Sequence, residues 1–317
     1  MNGANGFHPS TIRGLRALTA RELKKWLKDP MMISMFVLQP LIWMGLLGKS
    51  MNIGALFSGN LSVQVPEMIP IPGNYVVPEV DGVVYVSGSW FSRTLQQMFS
   101  EMGAEVMRKT FGVTDYFSYM SIGMVSMIVT TTAMFSGMSI VWDRRLGFLD
   151  KVLSTPVSRA AIIFSKVLNS TLRAMFQATV ILAIAYVLGL QVSPTFKPLN
   201  LIGVYVAIFL LSVGLSSVFL AVSIRSTRME RPMQIVNLIM MPLMFASNNF
   251  YPTSMMPIWI QTIANANPLT YLTDAVRQLT ILPLNPSTLM VDFIYLGTFA
   301  SLLATIGTLL SWRYLTK

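Results

Sequence analysis

Residues 142–159 read WDRRLGFLDKVLSTPVSR and lie between two of the most apolar runs of the chain. They carry six charged side chains, although only 11% of the 317 residues are charged. Hydrophobic residues make up 53% of the sequence, and the mean hydropathy is +0.60. Long apolar runs without charge are typical of helices that cross a membrane. The stretch is therefore a polar connection between two membrane helices.

The apolar runs predict an all-α membrane protein with six transmembrane helices, each near the about 20 residues needed to cross the hydrocarbon core. These spans are 31–48, 117–141, 174–192, 199–224, 233–250 and 291–312. They divide the chain into a tail with an amphipathic helix (1–30), the first span, an extracellular loop (49–116), five further spans (117–312) and a short end (313–317). The loop 49–116 predicts short strands followed by a helix. The Pro-broken segment 251–283 predicts a re-entrant hairpin or outer helices before the last span.

The distribution of basic residues predicts the orientation in the membrane. Of the 23 Lys and Arg residues, 17 lie at the two termini, in 142–159 and the helix start after it, or after the fourth span. The positive-inside rule then places both termini in the cytoplasm of a multi-pass protein, which we expect in a prokaryotic plasma membrane. The net charge is +10, but the basic residues form no continuous face, so we expect contacts with membrane lipids and no nucleic acid partner.

Several chemistries lack the residues they need. The chain has no Cys and one His, so we expect no metal site, no bound cofactor and no enzymatic activity of its own. The sequence GLLGKS at 45–50 resembles a phosphate-binding loop, but position 43 is Trp where that loop needs Gly. All 13 acidic residues lie outside the spans or at their starts, which disfavours a proton relay. If the protein transports a substrate, the energy should therefore come from elsewhere.

Residues 11–28 predict an amphipathic helix at the membrane surface, with apolar side chains at helical spacing among basic ones. The residues expected to define this helix are Arg16, Arg21, Lys24, Lys25 and Trp26. Two interpretations stay open, a simple juxtamembrane anchor and a contact with a partner protein.

The stretch 142–159 itself predicts a short amphipathic helix over 143–153. Leu146, Leu149, Val152 and Leu153 recur at spacings of three and four. Thr155-Pro156 should end this helix, and Ser158 is placed to cap the next one. A short helix across a turn between two membrane helices is a docking surface; the alternative is a basic loop that only fixes topology.

Polar side chains within and next to the spans have two interpretations. Ser165, Asn169, Arg173 and Gln177 recur every four residues and share one face of a helix over about 160–190. Such groups can form interhelical hydrogen bonds or line a translocation path. The candidates for the path are Asn169, Arg173, Gln177, Thr131, Asn237, Asn248 and Asn249.

Two long stretches resemble those of a known family. The first runs from DYFSYMSIGM (115–124) to WDRRLGFLDKVLSTPVSRAAIIFSKVL (142–168), and the second is NNFYPTSMMPIWIQTIANANPLTYLTDAVRQL (248–279). In order and spacing they resemble the type 2 ABC transporter permeases, in particular the daunorubicin-resistance-like export branch. Members of that family often begin the coupling loop with Glu-Arg-Glu, whereas this chain has Trp142-Asp143-Arg144-Arg145.

The resemblance implies a permease subunit of an ATP-driven exporter, paired with a second permease copy in a homodimer or heterodimer. Two ABC ATP-binding subunits would carry the ATP and magnesium. The loop 142–159 would be the coupling helix, and the N-terminal helix the connecting helix. The expected ATPase-coupling residues are Asp143, Arg144, Arg145, Gly147, Phe148, Leu149, Lys151, Thr155, Pro156 and Arg159. The apolar, Met-rich spans suit a lipophilic or amphiphilic substrate, such as a drug, lipid or glycolipid. The alternatives are an ATPase-independent secondary carrier or channel, or a structural scaffold.

Overall fold

The structure is helical apart from one strand pair in the part of the chain that it describes. This computed structural model describes residues 11–49, 66–72, 83–155, 157–226, 228 and 230–315. The elements in chain order are α1 (Thr11–Leu27), α2 (Pro30–Trp43), β1 (Met68–Pro72), β2 (Val83–Ser87), α3 (Gly88–Phe111), α4 (Tyr116–Met134), α5 (Met138–Arg145), α6 (Phe148–Leu153), α7 (Arg159–Val187), α8 (Asn200–Ile224), α9 (Glu230–Phe245), α10 (Ile258–Asn265), α11 (Pro268–Thr280) and α12 (Pro286–Leu315). A π-helical turn, Met44–Lys49, extends α2, and a 3₁₀ turn, Phe135–Gly137, joins α4 to α5.

Several helices have the length and composition of membrane spans. Among the described residues, four segments are long and apolar enough to cross a membrane: Gly88–Arg145, Arg159–Val187, Asn200–Ile224 and Pro286–Tyr314. The predicted spans 31–48 and 233–250 coincide with the shorter helices α2 and α9, of 14 and 16 residues. The predicted all-α membrane class is confirmed, and the number of spans stays a prediction.

Helix α8 lies at the centre of the bundle and packs against α4, α7, α11 and α12. Close approach at this helix depends on small residues of its neighbours. A Cβ atom on Gly137 would lie 2.2 Å from Ser223 Oγ, and one on Gly307 would lie 2.5 Å from the Ser217 carbonyl oxygen. Small residues at helix contacts are typical of membrane bundles, where packing replaces the hydrophobic effect.

The periphery of the bundle exposes large apolar side chains. On α9 and α12 they include Met233, Leu238, Met241, Phe245, Leu302, Ile306 and Leu309. Exposed apolar side chains in such number are unfavourable in water and are expected where lipid or another subunit covers them.

The predicted loop 49–116 contains a strand pair and a long helix. Strands β1 and β2 pair antiparallel, with Met68 opposite Ser87 and Pro72 opposite Val83, and α3 follows directly. Residues 50–65 and 73–82 of this predicted loop lie outside the described residues. Asp115 then caps α4, because its Oδ1 accepts from the Ser118 amide at 2.8 Å.

Candidate functional site

The stretch 142–159 forms a tight connection between α5 and α7, and its helix differs from the predicted one. The prediction of one helix over 143–153 is wrong at its start, since α5 ends at Arg145 and α6 begins at Phe148. Gly147 separates the two helices with φ +67°, a left-handed conformation that breaks a right-handed helix. As predicted, Ser158 caps α7, and its Oγ accepts from the Ala161 amide at 3.2 Å.

One face of α6 is fixed to the bundle by apolar contacts. Leu149 and Val152 are buried in a cluster with side chains of α5, α7 and α8. That cluster comprises Ile140, Val141, Ile162, Ile163, Val167, Leu220 and Ile224. Burial of a Leu or Val side chain contributes about 1.5–3 kcal/mol, so two such residues hold a six-residue helix firmly in place.

The opposite face of this connection is exposed and combines apolar with charged side chains. Leu146 is 68% exposed and Trp142 is 48% exposed. Further exposed residues are Arg145, Asp150, Lys151, Leu153, Thr155 and Arg159, while Arg144, Gly147 and Phe148 are half-buried. Pro156 lies outside the described residues. We call the exposed set Trp142, Arg145, Leu146, Lys151, Leu153 and Arg159 the loop surface; its composition, apolar residues and Arg within a polar rim, is typical of protein interfaces.

Asp143 does not belong to the loop surface, because it is 3% exposed within a buried ion-pair network. Lys166 Nζ on α7 donates to Asp143 Oδ2 and lies 3.0 Å from Glu22 Oε1 on α1. Arg21 Nη1 pairs with Glu22 Oε1 at 3.0 Å, and the Arg21 guanidinium lies 3.4 Å from the centre of the Phe148 ring. The network therefore joins α1, α5, α6 and α7 around one lysine.

The N-terminal helix packs along α7 through much of its length. A Cβ atom on Gly14 would lie 2.9 Å from Val157 Cγ1, and further along α1 the Trp26 ring meets the Phe176 ring edge-on at 5.5 Å. Of the residues predicted to define this helix, Trp26 is buried and Arg21 half-buried, whereas Arg16, Lys24 and Lys25 are exposed. Helix α1 is thus fixed to α7 by one face, while Arg16, Lys24 and Lys25 stay exposed.

The predicted path residues lie on several elements, and their role stays a prediction. Asn169, Arg173 and Gln177 share a face of α7, where Thr132 donates to Gln177 Oε1. Thr131 lies between α4 and α9, since its hydroxyl approaches Met240 Sδ at 3.8 Å. Asn237 is exposed on α9. Asn248 and Asn249 are buried in a different part of the bundle, in the turn after α9.

The turn that contains Asn248 and Asn249 is organised by a buried arginine that was not among the predicted site residues. Arg277 on α11 is 1% exposed and donates to the carbonyls of Asn248 at 2.8 Å, Asn249 at 3.1 Å and Tyr119 at 3.2 Å. Asn248 in turn donates to Asp274. Burial raises the pKa of the Asp274 carboxyl, and the charge of Arg277 opposes that rise. The signal for this cluster was present in the motif 248–279, which contains all of its members except Tyr119.

A buried carboxylate also lies in α12. Asp292 is 5% exposed and accepts from Gln278 Nε2 at 3.1 Å. The sequence placed this residue only at the start of a span. Among the described residues, no group of three or more His, Cys, Asp or Glu side chains could hold a metal ion.

These features match a known family of membrane permeases. A family model described as "ABC-2 type transporter" matches residues 13–281, a range that includes most of α1, the loop surface, and Arg277 with its partners. The chain therefore belongs to the ABC-2 type transporter family, and the resemblance seen in the sequence is confirmed.

Individual relatives match about half of the chain. A Porphyra purpurea protein named as a transport permease, ycf38, is 30% identical over 165 residues, which cover 52% of this chain and 56% of that protein. A daunorubicin resistance ABC transporter permease protein of Streptomyces coeruleorubidus is 24% identical over 165 residues, 52% of this chain and 58% of its own length. An Escherichia coli (strain K12) protein named as a multidrug ABC transporter permease is 28% identical over 166 residues, 52% of this chain and 44% of that protein. The chain thus spans about half the length of the relatives it matches.

Proposed function

We propose that this chain is the membrane subunit of an ATP-driven exporter and that the loop surface binds a separate ATP-binding subunit. The loop surface is the observation that carries the proposal. Its apolar and basic side chains are exposed, yet the helix beneath them is held by a buried apolar cluster and an ion-pair network. A rigidly supported helix can transmit the movement of a partner to the membrane helices, whereas a mobile loop cannot.

The proposed topology has six spans, with α2 and α9 as the two short ones and both termini in the cytoplasm. The excess of Lys and Arg at the termini and in 142–159 supports this orientation in a plasma membrane. The family match supports the division of labour, in which two ATP-binding subunits hold the ATP and magnesium and this chain holds neither.

The chain pairs with a second permease copy, identical or homologous, in this proposal. Helix α9 supports it because Val236 and Met244 are buried against the bundle, while most of the helix, including Met241 and Asn237, is exposed. Gln234 and Asn237 are polar, exposed and three residues apart among apolar side chains, which suits a subunit interface or a path better than contact with lipid tails. The substrate is lipophilic or amphiphilic, a class supported by the apolar faces and by the named roles of relatives in drug resistance.

The test uses the exposed and buried residues of the loop separately. The chain is co-expressed with its candidate ATP-binding subunit, and Leu146→Asp is compared with Met102→Asp, which changes an equally apolar exposed residue on α3. We expect Leu146→Asp to abolish co-purification and to lower ATP-dependent transport more than tenfold, with Met102→Asp unchanged in both. Normal assembly and transport by Leu146→Asp would contradict the proposal. Leu149 is unsuitable for this test because it is buried, so its replacement measures folding.

A secondary carrier remains the second candidate because Asp292 lies buried in the apolar helix α12. A buried carboxylate in a membrane helix is the usual proton relay of such carriers. Reconstituted vesicles with a pH gradient and no ATP separate the two functions. Substrate flux under these conditions that Asp292→Asn abolishes would identify a carrier, whereas flux only with the ATP-binding subunit and ATP supports the exporter.

A further inference from the structure

Helix α7 carries a row of buried hydrogen-bond donors that the ion-pair network does not use. Asn169 Nδ2, Arg173 Nε and Gln177 Nε2 are buried and have no partner among the described residues. The three residues are four apart and share one face of the helix. Unsatisfied buried donors cost free energy, and three on one face indicate that something with acceptor atoms occupies the site.

Arg173 is the charged member of this row, and it forms no ion pair with any residue that the structure describes. The Glu22 carboxylate acts on its charge, but Glu22 pairs directly with Lys166 and Arg21. The Arg173 guanidinium instead lies 5.4 Å from the centre of the Trp26 ring and 6.0 Å from that of Phe36. An anion is therefore the group that would complete the site.

The position of the site in the chain indicates the source of that anion. Trp26 is the residue before the last of α1, and the apolar helix α2 begins at Pro30. The Trp26 indole Nε1 is a fourth buried donor without a partner among the described residues. Tryptophan and arginine at the point where a chain enters its first apolar helix are typical of the headgroup level of a membrane.

A shallow apolar cleft continues from this point between α2 and α7, lined among others by Trp26, Phe36, Phe176 and Gln177. It encloses only about 10 Å³, so an acyl chain would lie along its surface and not inside it. Donors at one end and an apolar cleft beyond them match an amphiphile with an anionic headgroup and an acyl chain. A free anion would leave the cleft unused.

We propose that Asn169, Arg173, Gln177 and Trp26 bind the anionic phosphate headgroup of a membrane phospholipid, whose acyl chain follows the cleft between α2 and α7. The orientation given under the proposed function, with both termini in the cytoplasm, places this lipid in the cytoplasmic leaflet. The site itself requires neither an ATP-binding subunit nor transport, so its failure and that of the exporter proposal are distinguishable.

Native mass spectrometry of the purified chain in detergent tests this site. The protein is titrated with phosphatidylglycerol and, separately, with phosphatidylcholine of the same acyl chains. We expect phosphatidylglycerol to bind at least tenfold more tightly, and Arg173→Gln to weaken it about tenfold, as for loss of one charge-assisted hydrogen bond. The matched control, Lys25→Gln, removes an exposed charge one residue from Trp26 and should change the affinity less than twofold.

Further measurements distinguish a lipid headgroup from a free anion and show whether the variants are folded. Inorganic phosphate should not displace the lipid. Displacement would contradict the assignment of the site to a phospholipid and would show that it binds a free anion. Arg173→Lys keeps the charge and removes the Nε donor, so it should weaken binding less than Arg173→Gln while the thermal midpoint stays that of the parent. Two results would overturn the proposal. One is that the parent and both Arg173 variants bind phosphatidylglycerol with equal affinity, and the other is that the parent binds phosphatidylglycerol and phosphatidylcholine equally.

Discussion

Lys166 Nζ lies 3.0 Å from Glu22 Oε1 and joins α7 to the N-terminal helix across 144 positions of sequence. The same ammonium group donates to Asp143 at the end of α5. Both carboxylates and the lysine are at most 8% exposed, so the pairing takes place away from water. A buried charge of this kind is tolerated only with its partners in place, which makes the position of α1 dependent on α5 and α7.

Replacement of the central lysine should therefore destabilise the protein strongly. Lys166→Met removes the buried cation that the Glu22 and Asp143 carboxylates share. Only the half-buried Arg21 then remains beside them, so we expect a loss of about 3–5 kcal/mol in the free energy of unfolding. Thermal unfolding in detergent measures the loss, with the exposed Lys151→Met as control, expected within about 0.5 kcal/mol of the parent. The triple variant Lys166→Met, Glu22→Gln, Asp143→Asn should recover part of the stability, since no buried charge then lacks a partner. Equal effects of Lys166→Met and Lys151→Met would contradict the network.

The break between α5 and α6 should depend on Gly147. Its φ of +67° is unfavourable for residues with a Cβ atom, although no atom lies within 4 Å of the site where that Cβ would be. Gly147→Ala should therefore cost about 1–2 kcal/mol from backbone strain alone. Gly147→Asn should cost less, because Asn adopts this conformation more readily. The free energy of unfolding of the two variants tests this order. A Gly147→Ala variant at least as stable as Gly147→Asn would contradict a left-handed conformation at this position.

The contact between α4 and the turn after α9 should depend on Gly123. A Cβ atom there would lie 2.2 Å from the Asn249 carbonyl oxygen, the acceptor that Arg277 also uses. The backbone of Asn249 cannot move aside as the end of a flexible side chain can. Gly123→Ala should therefore lower the free energy of unfolding by about 1–3 kcal/mol. The matched control is Gly297→Ala in α12, where nothing lies within 4 Å and where Ala should be neutral or stabilising. Comparable thermal midpoints for the two variants would show that the close approach is absent.

The features that the sequence predicted well are local ones. The apolar runs set the positions of α4, α7, α8 and α12, because a helix that faces lipid must be apolar along its whole length. The Ser158 cap was also predictable, because it depends on a local contact: the donor of its hydrogen bond is three residues away.

The features that the sequence missed depend on distant partners. Asp143 looked like an exposed loop charge, and only Glu22 and Lys166, both far from it in sequence, make it a buried one. Arg277 was not predicted as a site residue, because one of its acceptors, the Tyr119 carbonyl, is 158 positions away in sequence. The exposed Leu146 was taken for part of a continuous amphipathic helix, because periodicity alone does not reveal the left-handed Gly147.

The Glu22–Lys166 pair also constrains the biogenesis of the protein. Glu22 leaves the ribosome long before Lys166, which follows it by 144 positions. During that interval the acidic side chain has no counterion on α7 and must stay hydrated, so α1 cannot yet occupy its final place. The N-terminal helix is thus synthesised first and docks late, after α7 has been inserted.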